Sequence, residues 1–202
     1  YALELEYTRE MMAPLLLNPD SQWPRNALFV GLGVGALPKF LHKHRPNAKI
    51  KVIEISHAVV AAAQMHFKLP PFSPGFHVEV SCGADYMAKS VASSARQFDL
   101  IMVDGFDGKA KVGPLNSTAF YLNCKALLSE QGYLVANLLS NQKDSAQSKQ
   151  RLLDAFDGNA VALAPCASGN VIALAHVGAG FSATEADLYA NCQRLKEETA
   201  LN

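Results

Sequence analysis

The sequence predicts a three-layer α/β sandwich of Rossmann-like type, with a mostly parallel, seven-stranded sheet that ends in an antiparallel C-terminal hairpin. Two observations predict this fold. Apolar strand segments alternate with helical segments over short connections, which is typical of a parallel sheet covered by helices on both faces. The last two strand segments instead follow each other directly across Pro165-Cys166-Ala167-Ser168-Gly169. That connection indicates a hairpin rather than another crossover.

The individual elements follow from the spacing of apolar residues. We expect parallel strands at residues 27–30, 49–53, 76–80, 98–103 and 133–138, and the two hairpin strands at 160–164 and 170–177. Crossover helices are expected at 36–44, 84–91, 117–128 and 144–156, with a further one that Ser56 caps and that runs to residue 66. Helical spacing over residues 5–17 predicts one helix that stops before Asn18-Pro19. A capping box, Ser-Ala-Thr-Glu, is expected to open a C-terminal helix over residues 182–198.

Composition limits the classes of function. The chain has 202 residues, half of them hydrophobic, which suits one sizeable core, so we expect a single domain over residues 1–202 with an N-terminal helix and loop at 1–25. Its 18 basic and 18 acidic residues cancel, which disfavours a nucleic-acid or anionic-membrane partner. No apolar run reaches the roughly 18 residues of a membrane span. The four cysteines lie far apart and form no metal-ligand pair, so we expect a reduced, cytoplasmic protein with buried thiols and no metal.

A glycine turn follows the first predicted strand. Residues 26–41 read NALFVGLGVGALPKFL, in which Gly31, Gly33 and Gly35 alternate before a helix begins. Without side chains the turn can lie flat beneath a ligand, with the amides of the helix pointing at it. The next strand segment, KIKVIEIS, ends in Glu54. A carboxylate about 20 residues past such a turn is placed to accept hydrogen bonds from both hydroxyls of a ribose. The pattern predicts a nucleoside-binding site.

Further acids lie at the end of the fourth strand. The segment FDLIMV ends at Asp104, and Asp107 follows in the loop Asp-Gly-Phe-Asp-Gly. In open α/β sheets the ligand crevice lies beyond the carboxyl ends of the strands. We therefore expect Glu54 and Asp104 to face one cleft with the glycine turn between them. Asp107 fits an exposed turn as well as it fits a functional role.

Several of these segments resemble the polyamine aminopropyltransferases, the spermidine synthases and their relatives. The resemblance covers about residues 5–140 and is carried by EYTREMMAPLLL, GLGVGALPKFL, IEIS, FDLIMVDGFDG and GPLNSTAFYLNCKALLSEQGYLVANL. The terminal hairpin agrees with it, since it is characteristic of the class I S-adenosylmethionine-dependent methyltransferase fold. The resemblance implies a nucleoside-binding set and a catalytic set. The first is Gly31, Gly33, Gly35, Glu54, Ile55, Cys82, Gly83 and Asp85; the second is Asp104 as general base, with Asp107 and Tyr7 at the amine substrate.

The resemblance also implies the reactants. The co-substrate would be decarboxylated S-adenosylmethionine or S-adenosylmethionine itself, and the acceptor a small-molecule amine, with no metal and with a homodimer as a possible assembly. An alkyl ammonium has a pKa near 10 and must lose a proton before it attacks the carbon beside a sulfonium. A carboxylate such as Asp104 can accept that proton.

The chain departs from the family pattern at four points, the first being Tyr7, which stands one position from the family's substrate-site tyrosine. Val34 stands where the family carries an acid in its glycine loop, and Cys82 stands where an Asp reaches the adenine amino group, with Asp85 as a substitute from the next turn. We expect the family's small N-terminal β-domain to be absent. The loss of the acid at residue 34 argues against putrescine, because an unpaired cation in a cleft is costly.

These departures leave alternatives open. One is a small-molecule methyltransferase that uses S-adenosylmethionine, whose carboxylate an uncharged Val34 tolerates better than an acid would. A second is a degenerate homologue that binds a nucleoside without catalysis. An NAD-dependent dehydrogenase matches Gly31-x-Gly33-x-x-Ala36 but explains neither Asp104 nor the terminal hairpin.

Overall fold

The computed structural model describes residues 2–93, 97–106, 113–139 and 145–201. Its seven strands form one sheet in the order β3-β2-β1-β4-β5-β7-β6. Neighbours among the first five strands pair in parallel, and β7 pairs antiparallel with β5 and β6. The predicted sheet with its terminal antiparallel hairpin is confirmed. The strand bounds are β1 Asn26–Val30, β2 Lys49–Glu54, β3 Phe76–Val80, β4 Phe98–Val103, β5 Leu128–Leu139, β6 Ala160–Ala162 and β7 Asn170–His176.

Helices cover both faces of the sheet, as predicted. One face packs against α1–α4 and α8 through residues such as Met11, Phe40 and Leu195. The other packs against α5–α7 through Met87, Tyr121 and Leu152. The helices are α1 Glu6–Glu10, α2 Pro14–Leu17, α3 Ala36–His44, α4 His57–His66, α5 Gly83–Ser93, α6 Thr118–Leu127, α7 Ser145–Ala155 and α8 Glu185–Thr199, with a 3₁₀ turn at Gly113–Asn116.

The N-terminal helix differs from its prediction. The sequence predicts one helix over residues 5–17, whereas the structure has two short helices, α1 and α2, separated by a turn at residues 11–13. Pro14 explains the break, because proline has no backbone N–H to donate to the carbonyl four residues earlier. It therefore starts the second helix instead of continuing the first.

The C-terminal helix has a different cap from the one predicted. Helix α8 begins at Glu185 rather than at residue 182. Its capping box joins Thr184 and Asp187: the Asp187 N–H donates to Thr184 Oγ1 at 3.2 Å, and the Thr184 N–H donates to Asp187 Oδ2 at 2.9 Å. The same motif is thus used two residues further on than the predicted Ser-Ala-Thr-Glu box.

Strand β5 is longer than predicted at its start. It begins at Leu128 instead of residue 133 and runs through Gly132. Its pairing with β4 shifts register between Phe98 and Leu100. A glycine within a strand often marks such an irregularity.

The cysteine prediction is wrong at one position. All four cysteines are free thiols; Cys124 and Cys166 are buried and Cys82 is partly buried, but Cys192 is exposed on α8. No helix among the described residues is long and apolar enough to cross a membrane. Within the same residues, no three His, Cys, Asp or Glu side chains group as metal ligands.

Candidate functional site

The glycine turn, residues 31–35, joins the carboxyl ends of three adjacent strands. The Gly31 N–H donates to the Ile53 carbonyl at 2.8 Å, and the Asp104 N–H donates to the Val30 carbonyl at 2.9 Å. Gly31 has φ of 99°, and a Cβ built on it would overlap the Asp104 carbonyl group, lying 2.8 Å from its carbon. Glycine at this position therefore lets the end of β4 lie directly against the turn.

Glu54, the last residue of β2, closes one side of the turn. It is 8% exposed, and its two carboxylate oxygens accept from different backbone amides. The Leu32 N–H donates to Oε2 at 2.8 Å and the Ser56 N–H donates to Oε1 at 2.9 Å. Because a carboxylate oxygen has two lone pairs, each can still accept a hydrogen bond from a ligand hydroxyl. The arrangement also fixes the turn relative to β2.

Asp104 closes the other side and is held by two side chains. The Asn137 amide donates to Asp104 Oδ1 at 2.8 Å, and the Tyr7 hydroxyl of α1 hydrogen-bonds to the same carboxylate. Tyr7, predicted from sequence as a catalytic candidate, is thus brought to Asp104 although the two lie far apart in the chain. The structure places Glu54 and Asp104 on opposite sides of the glycine turn, as the strand ends predict.

Burial sets the ionisation of this cluster. It raises the pKa of the Asp104 carboxyl above its ordinary value, and the hydrogen bonds from Asn137 and Tyr7 offset part of that rise. Burial and the neighbouring Asp104 charge raise the pKa of Tyr7 to about 12. Tyr7 therefore stays a neutral donor at physiological pH, while Asp104 is a more basic carboxylate than a solvated one. A more basic carboxylate is better suited to accepting a proton.

Sequence reasoning missed the amide chain behind Asp104. Asn137 is 3% exposed on β5, and its Oδ1 accepts from the Asn170 amide at 2.8 Å. Asn170 Oδ1 in turn accepts from the Ser168 hydroxyl at 2.7 Å. One signal was present: Asn137 is a polar residue inside the apolar run LVANLL, and buried polar groups generally have a specific partner.

A small cavity opens beside Tyr7 and Asp104, two of the predicted catalytic residues. It measures about 60 Å³ and is lined by Tyr7, Val34, Asp104 and neighbouring residues of the turn and α3. The glycine turn and Asp104 thus line one cavity together with Tyr7. A larger cavity, about 290 Å³, is lined by Tyr133 and His176. It lies at the amino end of β5 and includes none of the predicted site residues.

The remaining predicted residues lie around the turn with differing exposure. Ile55 is 72% exposed beside Glu54. Gly83 begins α5, and a Cβ there would come 2.5 Å from Val30 Cγ1, so this helix packs tightly on β1. Cys82 is partly buried and Asp85 is exposed in the first turn of α5. Asp107 lies outside the described residues.

Comparison with known proteins identifies the family. Residues 5–178 match the family model described as the spermine/spermidine synthase domain. The chain belongs to the spermine/spermidine synthase family. The chain is similar to the polyamine aminopropyltransferase of Chromobacterium violaceum, with 36% identity over 173 residues. The match covers 86% of this chain and 64% of that relative, so the chain spans under two thirds of the relative's length.

Solved structures share the fold of this family member. Human methyltransferase-like protein 13 in complex with SAH superimposes with a TM-score of 0.83 at 23% identity, over 97% of this chain and 93% of that chain. A spermidine synthase in complex with the transition state analogue AdoDATO gives a TM-score of 0.72 at 22% identity, over 98% of this chain and 76% of that chain. The predicted resemblance to the spermidine synthases and the methyltransferase-like fold class are both confirmed.

Proposed function

We propose that this family member is an aminopropyltransferase-like enzyme. It binds decarboxylated S-adenosylmethionine and transfers its aminopropyl group to a small amine, with Asp104 as general base. The observation that carries the proposal is the Asp104 carboxylate, partly buried at the end of β4 and hydrogen-bonded by Tyr7 and Asn137. The match of residues 5–178 to the spermine/spermidine synthase domain supports it.

The residues present suit the nucleoside of such a co-substrate. Glu54 has lone pairs left for the ribose hydroxyls, beyond the two amides that it accepts from. Ile55, 72% exposed, offers an apolar surface beside it for the adenine ring. The small cavity between Tyr7, Val34 and Asp104 then takes the short chain attached to sulfur. In this arrangement the nucleoside lies against Glu54 and Ile55, and the reacting carbon lies near the Asp104 carboxylate.

The chemistry requires one proton acceptor. The amine arrives as an ammonium ion and gives a proton to the Asp104 carboxylate. Its nitrogen lone pair then forms a bond to the propyl carbon beside the sulfonium. The carbon–sulfur bond breaks, its electron pair stays on sulfur, and methylthioadenosine leaves. Tyr7, with a pKa of about 12, remains protonated and keeps donating to the carboxylate.

A second candidate, methyl transfer from S-adenosylmethionine, is favoured by one observation. Val34 is 46% exposed at the rim of the small cavity, and it puts no negative charge where the carboxylate of S-adenosylmethionine would lie. The two candidates differ in co-substrate, and that difference can be measured.

Calorimetric titration with the two co-substrates tests the proposal. Decarboxylated S-adenosylmethionine is expected to bind at least about tenfold more tightly than S-adenosylmethionine, because the Asp104 carboxylate attracts the free ammonium and repels a carboxylate. The matched variant Val34→Asp is expected to widen that preference by adding a second acid. Tighter binding of S-adenosylmethionine would favour methyl transfer, and binding of neither would contradict both candidates.

Glu54 gives a separate prediction about the nucleoside. Glu54→Ala is expected to weaken co-substrate and methylthioadenosine binding by about 1.5–3 kcal/mol, the value of hydrogen bonds to a charged group. Glu54→Gln keeps the shape and one acceptor oxygen, and we expect a smaller loss. Titration with methylthioadenosine, which carries no amine, isolates this contribution. Unchanged affinity in Glu54→Ala would remove Glu54 from the nucleoside site.

A further inference from the structure

The hydrogen bonds behind Asp104 have a defined direction. A carboxylate can only accept, so the amide nitrogen of Asn137 must face Asp104 and its oxygen must face Asn170. That oxygen needs a donor, so Asn170 presents its nitrogen. The Asn170 oxygen then needs a donor as well, and the Ser168 hydroxyl supplies it at 2.7 Å. The orientation of each amide is therefore fixed by the partner on either side.

The chain of amides begins in the loop of the terminal hairpin. Asn170 is the first residue of β7, and Ser168 lies in the loop before it, with its hydroxyl 3.0 Å from Cys166 Sγ. The partners are far apart in sequence, 33 residues from Asp104 to Asn137 and 33 from Asn137 to Asn170. Only the pairing of β5 between β4 and β7 brings them into line.

The same loop also contacts α1, the helix that carries Tyr7. The Ala167 N–H donates to Glu6 Oε2 at 3.2 Å, which attaches the loop to α1. Tyr7 is the next residue of α1, and its hydroxyl bonds to the Asp104 carboxylate. A five-residue helix has little stability of its own, so the position of Tyr7 depends on contacts such as this one.

We propose that the hairpin loop, residues 166–170, positions Asp104, and that Asn170 is the positioning residue that orients the Asn137 amide toward the carboxylate. This inference rests on the proposed role of Asp104 as general base. Asn170 touches neither the carboxylate nor, in this assignment, any reactant. It acts by keeping a donor, and not an acceptor, directed at Asp104.

The proposal has a direct consequence for proton affinity. The bond from Asn137 lowers the pKa of Asp104 and so offsets part of the rise due to burial. Loss of the constraint on Asn137 weakens that bond and lets the pKa rise further. The titratable group that hydrogen-bonds to Asp104 among the described residues is Tyr7, whose pKa of about 12 keeps it protonated at neutral and acidic pH. A shift of the Asp104 midpoint at lower pH therefore reports on the amide chain.

The test is an NMR titration of the ligand-free chain, with ¹³C-labelled aspartate carboxyls and the Asp104 signal assigned by its loss in Asp104→Asn. We expect Asn170→Ala to raise the Asp104 midpoint by about 0.5–1 unit, the equivalent of one net hydrogen bond. Asn170→Asp is expected to raise it more, because an acceptor there turns the Asn137 oxygen toward Asp104. Ser168→Ala, at an exposed position, is expected to give a smaller shift in the same direction.

The control is Asn47→Asp, which adds the same charge at an exposed position whose amide bonds to Gln22. It is expected to leave the midpoint unchanged. The proposal would be overturned if the Asp104 midpoint in both Asn170→Ala and Ser168→Ala lay within about 0.2 unit of its value in the parent chain. It would also be overturned if Asn47→Asp shifted the Asp104 midpoint as much as Asn170→Asp does. If Asn170→Ala does not fold, Ser168→Ala decides alone. Since no reactant is present, failure of aminopropyl transfer would not alter this result.

Discussion

Asp104→Asn is expected to lower the rate of aminopropyl transfer by about 10²–10⁴-fold, the usual contribution of a general base. The asparagine has the shape of the aspartate, and its oxygen can still accept from the Asn137 amide. It cannot accept a proton from an ammonium. Nucleoside affinity is expected to stay within a few fold, because Glu54 and the glycine turn are unchanged. The release of methylthioadenosine from decarboxylated S-adenosylmethionine and an amine measures the rate.

The matched control is Asp154→Asn, which removes the same charge from the exposed surface of α7. It is expected to keep the parent rate. Full activity in Asp104→Asn would show that Asp104 is not the base. A parallel loss of nucleoside affinity would instead point to a disturbed site.

The pH dependence of the free energy of unfolding gives a second test of Asp104. Because burial raises the pKa of Asp104 in the folded chain, the folded state binds more protons than the unfolded state between the two pKa values. Stability contributed by this group is therefore present at low pH and is lost as pH rises through the folded pKa. Asp104→Asn removes the cost of the buried charge, about 1.4 kcal/mol for each unit of the rise. We expect it to melt no lower than the parent chain at pH 7.

Gly31→Ala is expected to destabilise the fold by about 2–6 kcal/mol. Positive φ costs a residue other than glycine about 1–3 kcal/mol, and Gly31 has φ of 99°. The added Cβ also overlaps the Asp104 carbonyl group, and relief of such overpacking costs about 1–3 kcal/mol more. Thermal unfolding measures the effect, at about 2–4 °C for each kcal/mol in a chain of this size.

Gly33→Ala is the matched control two residues away. Gly33 also has positive φ, 52°, but a Cβ there meets nothing within 4 Å. We expect it to cost about 1–2 kcal/mol, the value for an ordinary left-handed residue. The difference between the two variants measures the contact between the turn and β4. Equal losses would mean that the turn moves away from Asp104 without cost.

The sheet could be predicted because each strand is a local pattern. Strands β3 and β4 match their predicted bounds, since β3 alternates apolar and polar residues and β4 is mostly apolar. Helix α4 likewise begins after Ser56, whose hydroxyl accepts from Val59 at 3.4 Å. The prediction failed where one residue outweighed the pattern, as Pro14 does in the N-terminal helix. It also failed where a glycine stays inside a strand, as Gly132 does in β5.

The candidate site was predicted in part, for a related reason. Glu54 and Asp104 end strands, and the carboxyl ends of neighbouring parallel strands meet at one edge of a sheet. Asn137 and Asn170 could not be placed in this way. Their hydrogen bonds depend on the antiparallel register that pairs Asn137 with Ile172 and puts Asn170 two pairs further along. Such a register has no local signature in the sequence.

The two edges of the sheet limit how the chain can associate. One edge is β6, three residues long, and the other is β3, five residues long, where Glu79 pairs with Lys51 at 2.8 Å. Short edge strands and charged side chains are the features that keep proteins from joining edge to edge. A homodimer, as predicted from the sequence, would therefore bury helical or loop surface instead of extending the sheet across two copies. The same edges protect the chain from strand-mediated aggregation at high concentration.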